Sequence, residues 1–445
     1  MTRRPRTPNT ALAALMQAGG IGNAQLARKV NVIGRELGVQ LHYDKTSVSH
    51  WLAGSVPKPE ARPAITEALS RLLARPVTCT EIGWPTEPAD GYDVVGDVID
   101  LSRADMDPSR RGVLKTGMYA AALAVPRFED EVDERVEAVT AGRTVHIGRP
   151  DVDTVRTMTD KVADILDQVG AGHARPMAAA FLANSGGRYL RASGPNQVVR
   201  EMKAAIADMV YLTGWMAMYE DQQGLGQRYY LRALKLAAAA NDHVTYCRTL
   251  RGMSLQATHL GHGAKGLELA DAAAEAAPAA GPRLVAFLRG QQAAAAAMTG
   301  DRHTAVNRLR ETETALSRAD NRRDAVGGYD TAAFHFHEAH VRWHLGDQAG
   351  SITSLRRSNA ARSPLERQGR LHCLGVIAER QLRMRHVEAA CATWGVFLDE
   401  HLTISSARGD QHLQTMLKAL PTYRRVTGVR ELEERARHIA ALKSS

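Results

Sequence analysis

The sequence predicts an all-α protein in which a small N-terminal helical bundle precedes a long α-solenoid of helical hairpins. Apolar residues recur with helical periodicity from about residue 151 to the end of the 445-residue chain. Aromatic residues make up only 5% of the sequence while alanine runs are frequent, which favours closely packed helices over a β-sandwich. We predict three segments, with boundaries at 1–85, 86–150 and 151–445.

Positive charge is concentrated at the N-terminus. The formal net charge is +9, and residues 1–85 carry eleven Lys and Arg against five Asp and Glu. A basic segment on a nearly balanced remainder indicates a polyanionic partner for that segment. Residues 1–8 hold three arginines and two prolines, and are expected to lie along phosphates or to form a solvated tail.

Two helices joined by a turn are predicted between residues 23 and 54. The second helix, Lys45–Ala53, places its apolar residues inward at i, i+3 and i+4. Asp44 is the predicted N-cap because its carboxylate can accept from the first free backbone N–H groups. Gly54 is expected to end the helix in a left-handed conformation. The residues predicted to face inward are Val48, Trp51 and Leu52.

The outward face of this second helix carries hydrogen-bond donors and positive charge. The major groove of DNA admits one helix, and Lys, Ser, Thr and His side chains can reach base edges or phosphates there. We therefore interpret the segment as a helix-turn-helix that binds double-stranded DNA, with a protein-binding helical bundle as the alternative. The predicted DNA-contacting residues are Lys45, Thr46, Ser47, Ser49, His50 and Lys58.

Ala24–Ala27 resembles the start of the first helix of XRE-type helix-turn-helix domains, and Thr46–Gly54 resembles their recognition helix. The pattern across residues 9–85 is similar to a group of actinobacterial regulators, the NsdA type, that join this N-terminus to tetratricopeptide-like (TPR-like) repeats. The resemblance implies a repressor of differentiation or secondary metabolism. One departure is that roughly ten more residues separate Leu26 and Val48 than the compact motif needs. Either the first helix runs on or a loop is inserted.

Further elements complete the predicted bundle. Asn9 is the predicted N-cap of a helix that ends at Gly19-Gly20. Another helix is expected over Ala64–Ala74, after which Ile82 and Trp84 should fold back over the core.

Residues 86–150 are predicted to be a linker with one or two helices. Within them, Ser109–Lys115 (SRRGVLK) resembles a twin-arginine export signal. Such signals are N-terminal and are removed, so a linker helix is the favoured interpretation, and an export role stays open.

The second half contains an internal repeat. A small residue in one helix is followed twelve positions later by another, the spacing at which the two helices of a TPR-like hairpin cross. Antiparallel helices approach closely only through small residues, and each hairpin buries its other face on the next. The units are 39, 40 or 46 residues apart. The five pairs are Gly214 and Gly226, Ser254 and Gly266, Ala293 and Ala305, Ala339 and Ser351, and Ala378 and Ala390, with Gly261, Gly300 and Gly346 at intervening turns.

The concave side of a right-handed solenoid is lined by the first helix of each pair. Arginine beside aromatic residues there favours a peptide or an acidic ligand. The alternative is that the aromatic residues are core and the arginines are solvated. The residues predicted to bind a ligand or partner are Tyr211, Trp215, Arg248, Arg251, Phe336 and His340, with Leu255 and Trp343 on the same side.

Motifs for catalysis and metal binding are weak. Gly261–Gly266 spells GxGxxG but follows a helix, whereas a dinucleotide site needs a preceding strand. His340 and His344 share a helical face with no obvious third metal ligand, so we expect surface histidines there. We predict no enzyme activity, no cofactor and no metal.

These observations predict a cytoplasmic, nucleoid-associated transcriptional regulator. The four cysteines form no CxxC, and no apolar run approaches the length of a membrane span. A homodimer is expected because one short helix reads few base pairs. The repeats are expected to dimerise, to sense a peptide or small molecule, or to recruit a protein. The alternative is a TPR scaffold or adaptor that binds no DNA.

Overall fold

The computed structural model describes residues 7–36, 41–58, 61–73, 75, 77–79, 81–84, 94–106, 119, 146–277, 281–319 and 329–444. In these ranges the regular structure is helical, and the one β-bridge is isolated. The predicted all-α fold class is confirmed. The helices are α1 (Thr10–Ala18), α2 (Asn23–Glu36), α3 (Lys45–Leu52), α4 (Arg62–Leu73), α5 (Val94–Met106), α6 (Arg149–Val169), α7 (Ala171–Phe181), α8 (Gly187–Leu190), α9 (Asn196–Tyr219), α10 (Gln223–Ala240), α11 (His243–His259), α12 (Gly263–Glu275), α13 (Pro282–Met298), α14 (Arg302–Ser317), α15 (Thr331–His344), α16 (Gln348–Ala361), α17 (Arg367–Arg383), α18 (Val387–His401), α19 (Ala407–Ala419) and α20 (Val429–Ser444).

Helices α1 to α4 form the N-terminal bundle around one apolar core. The Asn9 side chain accepts from the Leu12 backbone N–H at 2.9 Å, as predicted for a cap. Ile82 and Trp84 are buried against the same core, which confirms the predicted return of the chain after α4. Helix α4 begins at Arg62, two residues before the predicted start.

The extra residues of the helix-turn-helix lengthen its first helix. Helix α2 continues to Glu36, with Val30 and Ile33 fully buried. Residues 37–40 lie outside the described part of the chain. The continued helix keeps Val30 and Ile33 on the core, while Val32 is exposed on its outer side.

Helix α5 packs into the repeat domain. Its Asp105 forms an ion pair with Arg175 of α7 and accepts a 3.1 Å hydrogen bond from the Tyr229 hydroxyl of α10. Asp97 contacts Arg232 of α10 at 3.7 Å. The helix in the predicted linker is therefore part of the repeat core, while Ser109–Lys115 lies outside the described residues.

The five predicted hairpins are present as α9–α10, α11–α12, α13–α14, α15–α16 and α17–α18. At their crossing points the backbones approach closely. A Cβ on Gly214 would lie 3.1 Å from the Gly226 carbonyl oxygen, and the Ser254 hydroxyl donates to the Gly266 carbonyl at 2.6 Å. The turn glycines have φ near +90°, and Asp221 and Arg385 adopt positive φ at the equivalent turns of the other two hairpins.

The repeat domain closes on itself, because the segment between α18 and α19 contacts the junction of α6 and α7. The Ser405 N–H donates to the Val169 carbonyl at 2.9 Å, and the Gly172 N–H donates to the Ser405 carbonyl at 3.2 Å. Helix α17 also packs against α6. We call residues 168–172 and 403–407 the closure interface. It turns the solenoid into a ring around a central cavity.

The closure interface gives a first prediction, at Gly170. Its φ of +96° and ψ of 165° fall in a region that is almost restricted to glycine, and a Cβ there would overlap the Ser405 carbonyl oxygen. Gly170→Ala should lower the free energy of unfolding by about 3 kcal/mol and increase the radius of gyration. Denaturant titration and small-angle X-ray scattering measure the two effects.

Gly300→Ala is the matched control. Gly300 has φ +84° but open space around its Cα, so alanine there should cost only about 1 kcal/mol. Equal losses for the two variants would show that the contact at Gly170 contributes nothing.

Candidate nucleic-acid interface and central cavity

Helix α3 is fixed at its start by a capping box. The Asp44 carboxylate accepts from the Ser47 N–H at 2.8 Å and from the Ser47 hydroxyl at 2.9 Å. These bonds to the Ser47 backbone and side chain lower the pKa of Asp44. The cap defines which residue begins the helix, and therefore which side chains face outward.

The segment before α3 is held by one side chain of α2. Asn31 donates to the Tyr43 carbonyl at 2.7 Å and accepts from the Tyr43 N–H at 2.8 Å. The Tyr43 ring packs edge-on against Trp51, with 4.9 Å between centroids, and Trp51 packs edge-on against Trp84. These contacts orient α3 on the bundle.

The predicted DNA-contacting residues are on the open side of α3 or just beyond it. Ser47 is half-buried and its hydroxyl takes part in the cap. The Ser49 hydroxyl donates to the Lys45 carbonyl and accepts from the Asn23 amide, both at 3.0 Å. The fully exposed members of the set are Lys45, Thr46, Ser49, His50 and Lys58.

Two neighbouring features were not predicted from sequence. Because Asn23 bonds to Ser49, the N-terminus of α2 lies beside the middle of α3, and Gln25 is exposed there. Thr7 packs on Gly54, where a Cβ would overlap the Thr7 carbonyl oxygen. Thr7, the first residue that the structure describes, therefore lies next to the end of α3. Both neighbours depend on contacts in space, which the sequence does not show.

Residues 12–85 match the family described as the SP15 N-terminal domain. This range coincides with the helical bundle and its Trp84 lid. No curated protein matches the chain. In the described part of the chain, no helix has the length and apolar character needed to cross a membrane.

The central cavity of the ring has a volume of about 1620 Å³. Its wall is built by the first helices of the hairpins together with α6 and the start of α19. Of the residues predicted for ligand or partner binding, those on the wall are Tyr211, Trp215, Arg251, Phe336 and His340, together with Leu255 and Trp343.

Arg248 lies behind the wall. Its guanidinium donates to Asp208 of α9 at 2.8 Å and lies 5.1 Å from the centroid of the Tyr211 ring. Arg248 therefore supports Tyr211 and is held between α9 and α11, where it does not line the cavity.

Arg251 is buried in a stack of aromatic rings. Its guanidinium lies 4.2 Å from the Phe287 centroid and donates to His337 Nε2 at 3.2 Å. Nε2 must accept this bond, so the proton of neutral His337 is on Nδ1 and is donated to the Tyr329 hydroxyl, 2.9 Å away. Burial and Arg251 lower the pKa of His337 well below its usual value.

Two further histidines face the cavity from α15 and α17. Arg380 donates to His340 Nδ1 at 3.2 Å, and burial together with Arg380 lowers the pKa of His340. His372 Nδ1 lies 2.9 Å from Nε2 of His412, whose Nδ1 donates to Glu379 at 2.7 Å. Burial, Arg408 and His412 lower the pKa of His372.

The histidines of α15 have separate surroundings. His335 contacts Glu338 at 3.0 Å, while His337 is buried between α11 and Tyr329. Of the two histidines expected at the surface, His344 is exposed, whereas His340 is only partly exposed because it lies beside Arg380 on the cavity wall. Over the described ranges, no group of three or more His, Cys, Asp or Glu side chains is arranged to hold a metal ion. All four cysteines are unpaired.

The bundle meets the ring where α4 approaches the turn between α11 and α12. His262, in the turn between α11 and α12, lies with Nε2 3.3 Å from Oε1 of the buried Glu67 of α4. The Tyr119 ring stacks on His262 with 5.6 Å between centroids. Helix α11 carries Arg251 and His259 on the cavity wall and leads directly to this contact.

A second prediction concerns Asn31. Asn31→Ala removes both hydrogen bonds to Tyr43 and should lower the stability of the bundle by about 2 kcal/mol. Denaturation followed by tryptophan fluorescence measures the loss. Asn196→Ala, at an exposed position at the start of α9, should leave stability nearly unchanged. A similar loss in both variants would contradict the positioning role of Asn31.

A third prediction follows from the cavity histidines. Their folded-state pKa values lie below the usual value near 6.5, so on acidification the unfolded chain binds protons before the folded chain does. The melting temperature should therefore fall as the pH drops below about 6.5, and His340→Gln should reduce that fall.

Thermal melts at about pH 7.5 and about pH 5 measure this dependence. His303→Gln is the matched control, because His303 is exposed on α14. A pH dependence that is unchanged by His340→Gln would exclude His340 as a source of the instability.

Proposed function

We propose that this protein is a DNA-binding transcriptional regulator whose ring-shaped repeat domain senses a ligand or a partner. The observation that carries the proposal is the open face of α3. Lys45, Thr46 and His50 are exposed along it, while Val48 and Trp51 anchor its opposite side in the core. A rigidly held helix with exposed donors has the form required for insertion into a major groove.

Phosphate contacts are expected on both sides of α3. The α2 N-terminus beside Ser49 carries the positive end of a helix dipole. Thr7, which follows the three arginines of residues 1–6 in the sequence, packs on Gly54 at the other end of α3. Both features fit a duplex whose backbone passes on either side of the inserted helix.

The resemblance to NsdA-type regulators favours repression of differentiation or secondary metabolism and, with it, action in the cytoplasm on the nucleoid. We propose a homodimer on two half-sites, since one short helix reads few base pairs. Helix α11 gives the two units a physical connection, because it runs from the cavity wall at Arg251 to the contact between His262 and Glu67. A change in the packing of α11 would alter how the bundle is held.

A fourth prediction tests the DNA interface in the full-length protein. A duplex selected by the protein from a random pool serves as the probe. Lys45→Ala and His50→Ala should each weaken its binding by about tenfold, because each removes a contact from the exposed face of α3. Lys45→Ala should also reduce the slope of log K against log salt by about 1, through loss of one phosphate contact. Footprinting and titrations at several salt concentrations measure both effects.

The matched control is Lys161→Ala, which removes the same charge from an exposed position of α6 in the ring. Its DNA affinity should equal that of the unmodified protein. Unchanged affinity in both α3 variants would reject this helix as the DNA-contacting element. Failure of the full chain to select any duplex would favour a scaffold that binds only proteins.

A further inference from the structure

Three arginines on the cavity wall are buried without a carboxylate partner. Arg251, Arg380 and Arg408 are each 6% exposed, and none forms an ion pair with any residue in the described ranges. Elsewhere the chain neutralises such a charge, as Asp105 does for Arg175. An uncompensated buried cation is costly, so these three positions hold positive charge that the folded chain itself does not balance.

Aromatic rings cover the faces of these guanidinium groups. The distances from guanidinium carbon to ring centroid are 4.7 Å for Arg380 over Trp343 and 4.5 Å for Arg408 over Tyr219, with Arg251 over Phe287 as described above. Stacking uses the faces of the cations. The edge of Arg380 donates to the Ala339 carbonyl at 3.1 Å, to the Ser351 hydroxyl and to His340, whereas the edge of Arg408 is less used. One terminal nitrogen of Arg408 has no hydrogen-bond partner in the described structure. Such edges match the oxygens of a phosphate or carboxylate.

The three cations surround one region of the cavity, centred on Phe336. The Phe336 ring contacts His340 at 4.6 Å and His372 at 5.7 Å between centroids. His340 accepts a hydrogen bond from Arg380, and Arg408 lowers the pKa of His372. Arg251 of α11 donates a hydrogen bond to His337, which follows Phe336 in α15. An acidic group near Phe336 would therefore meet cations contributed by α11, α17 and α19.

The opposite part of the wall is acidic. Burial and the neighbouring Glu366 raise the pKa of Asp167 to about 7, and Asp164 adds to the effect. Asp164 and Asp167 belong to α6, and Glu366 forms an ion pair with Arg362 at 3.1 Å on the same part of the wall. The end of a ligand that reaches this part therefore meets carboxylates as well as Arg362. This favours a molecule whose second end is neutral over a uniformly acidic peptide.

We infer that the central cavity binds a nucleotide, with its phosphates held by Arg251, Arg380 and Arg408 and its ring system stacked on the aromatic wall. The cavity volume of about 1620 Å³ exceeds the roughly 300–1,000 Å³ typical of pockets for drug-sized ligands, so base, ribose and phosphates fit together. This inference deepens the proposed function by naming the ligand class that the ring senses.

Binding of ATP and of GTP to the full-length protein, without DNA, tests the inference by isothermal titration calorimetry. At least one of them should bind at a single site. Tripolyphosphate should bind more weakly because it cannot stack on the wall, adenosine should not bind measurably, and hexaglutamate should not compete. Absence of binding by both nucleotides at millimolar concentration, or tighter binding of hexaglutamate, would overturn the inference.

Arg408→Met separates a ligand-binding role from a structural one. It keeps the length of the side chain and removes the charge, so nucleotide affinity should fall by about 10- to 100-fold. The melting temperature of the ligand-free protein should stay the same or rise, because an unbalanced buried charge is lost. Arg310→Met, at an exposed position of α14, should change neither quantity.

The opposite pattern for Arg408→Met would overturn the assignment: unchanged nucleotide affinity, or a lower melting temperature than Arg310→Met without ligand. These measurements contain no DNA. Their failure is therefore distinguishable from failure of the DNA-binding proposal, which depends on Lys45 and His50.

Discussion

The central cavity depends on the close contact between two backbones at the closure interface. Gly170 and Gly172 allow the Ser405 carbonyl to approach α7, and the Ser405 N–H bonds back to Val169. These are short-range contacts between residues more than two hundred positions apart. Without them the hairpins would form an open superhelix with a shallow concave face. With them, the side chains on that face are enclosed, and their electrostatic interactions strengthen because water is partly excluded.

The hairpins could be predicted because their cause is local. Two helices that cross at Gly214 and Gly226 need small residues twelve positions apart, and that spacing is visible in the sequence. Closure could not be predicted, because it depends on the accumulated rotation of all the hairpins. The burial of Arg251 follows from closure, and the pairing of Arg248 with Asp208 depends on the packing of α9 on α11. The sequence alone therefore left open whether Arg248 and Arg251 are solvated or buried.

The N-terminal bundle shows the same division between local and long-range causes. The Asp44 cap and the buried positions of Val48 and Trp51 follow from spacing within one helix, and the structure has them as predicted. The orientation of α3 depends on Asn31. Its side-chain amide bonds to the backbone N–H and carbonyl of Tyr43, which is twelve residues later in the sequence. Nothing in the sequence distinguishes this asparagine from a solvated one. The position of the α2 N-terminus beside α3 could not be predicted for the same reason.

Arg251, Arg380 and Arg408 have no carboxylate partner in the described ranges, and this bears on how the ring could act as a sensor. The buried arginines lower the pKa values of the nearby histidines and keep them neutral. A bound anion would balance the charge of these arginines and draw together helices that come from different hairpins. The effect of such a ligand depends on how much more tightly it binds one state of the ring, because only the difference between the states shifts an equilibrium. Since Arg251 is on α11, and α11 leads to His262 and Glu67, a change in this packing would reach a contact with the N-terminal bundle.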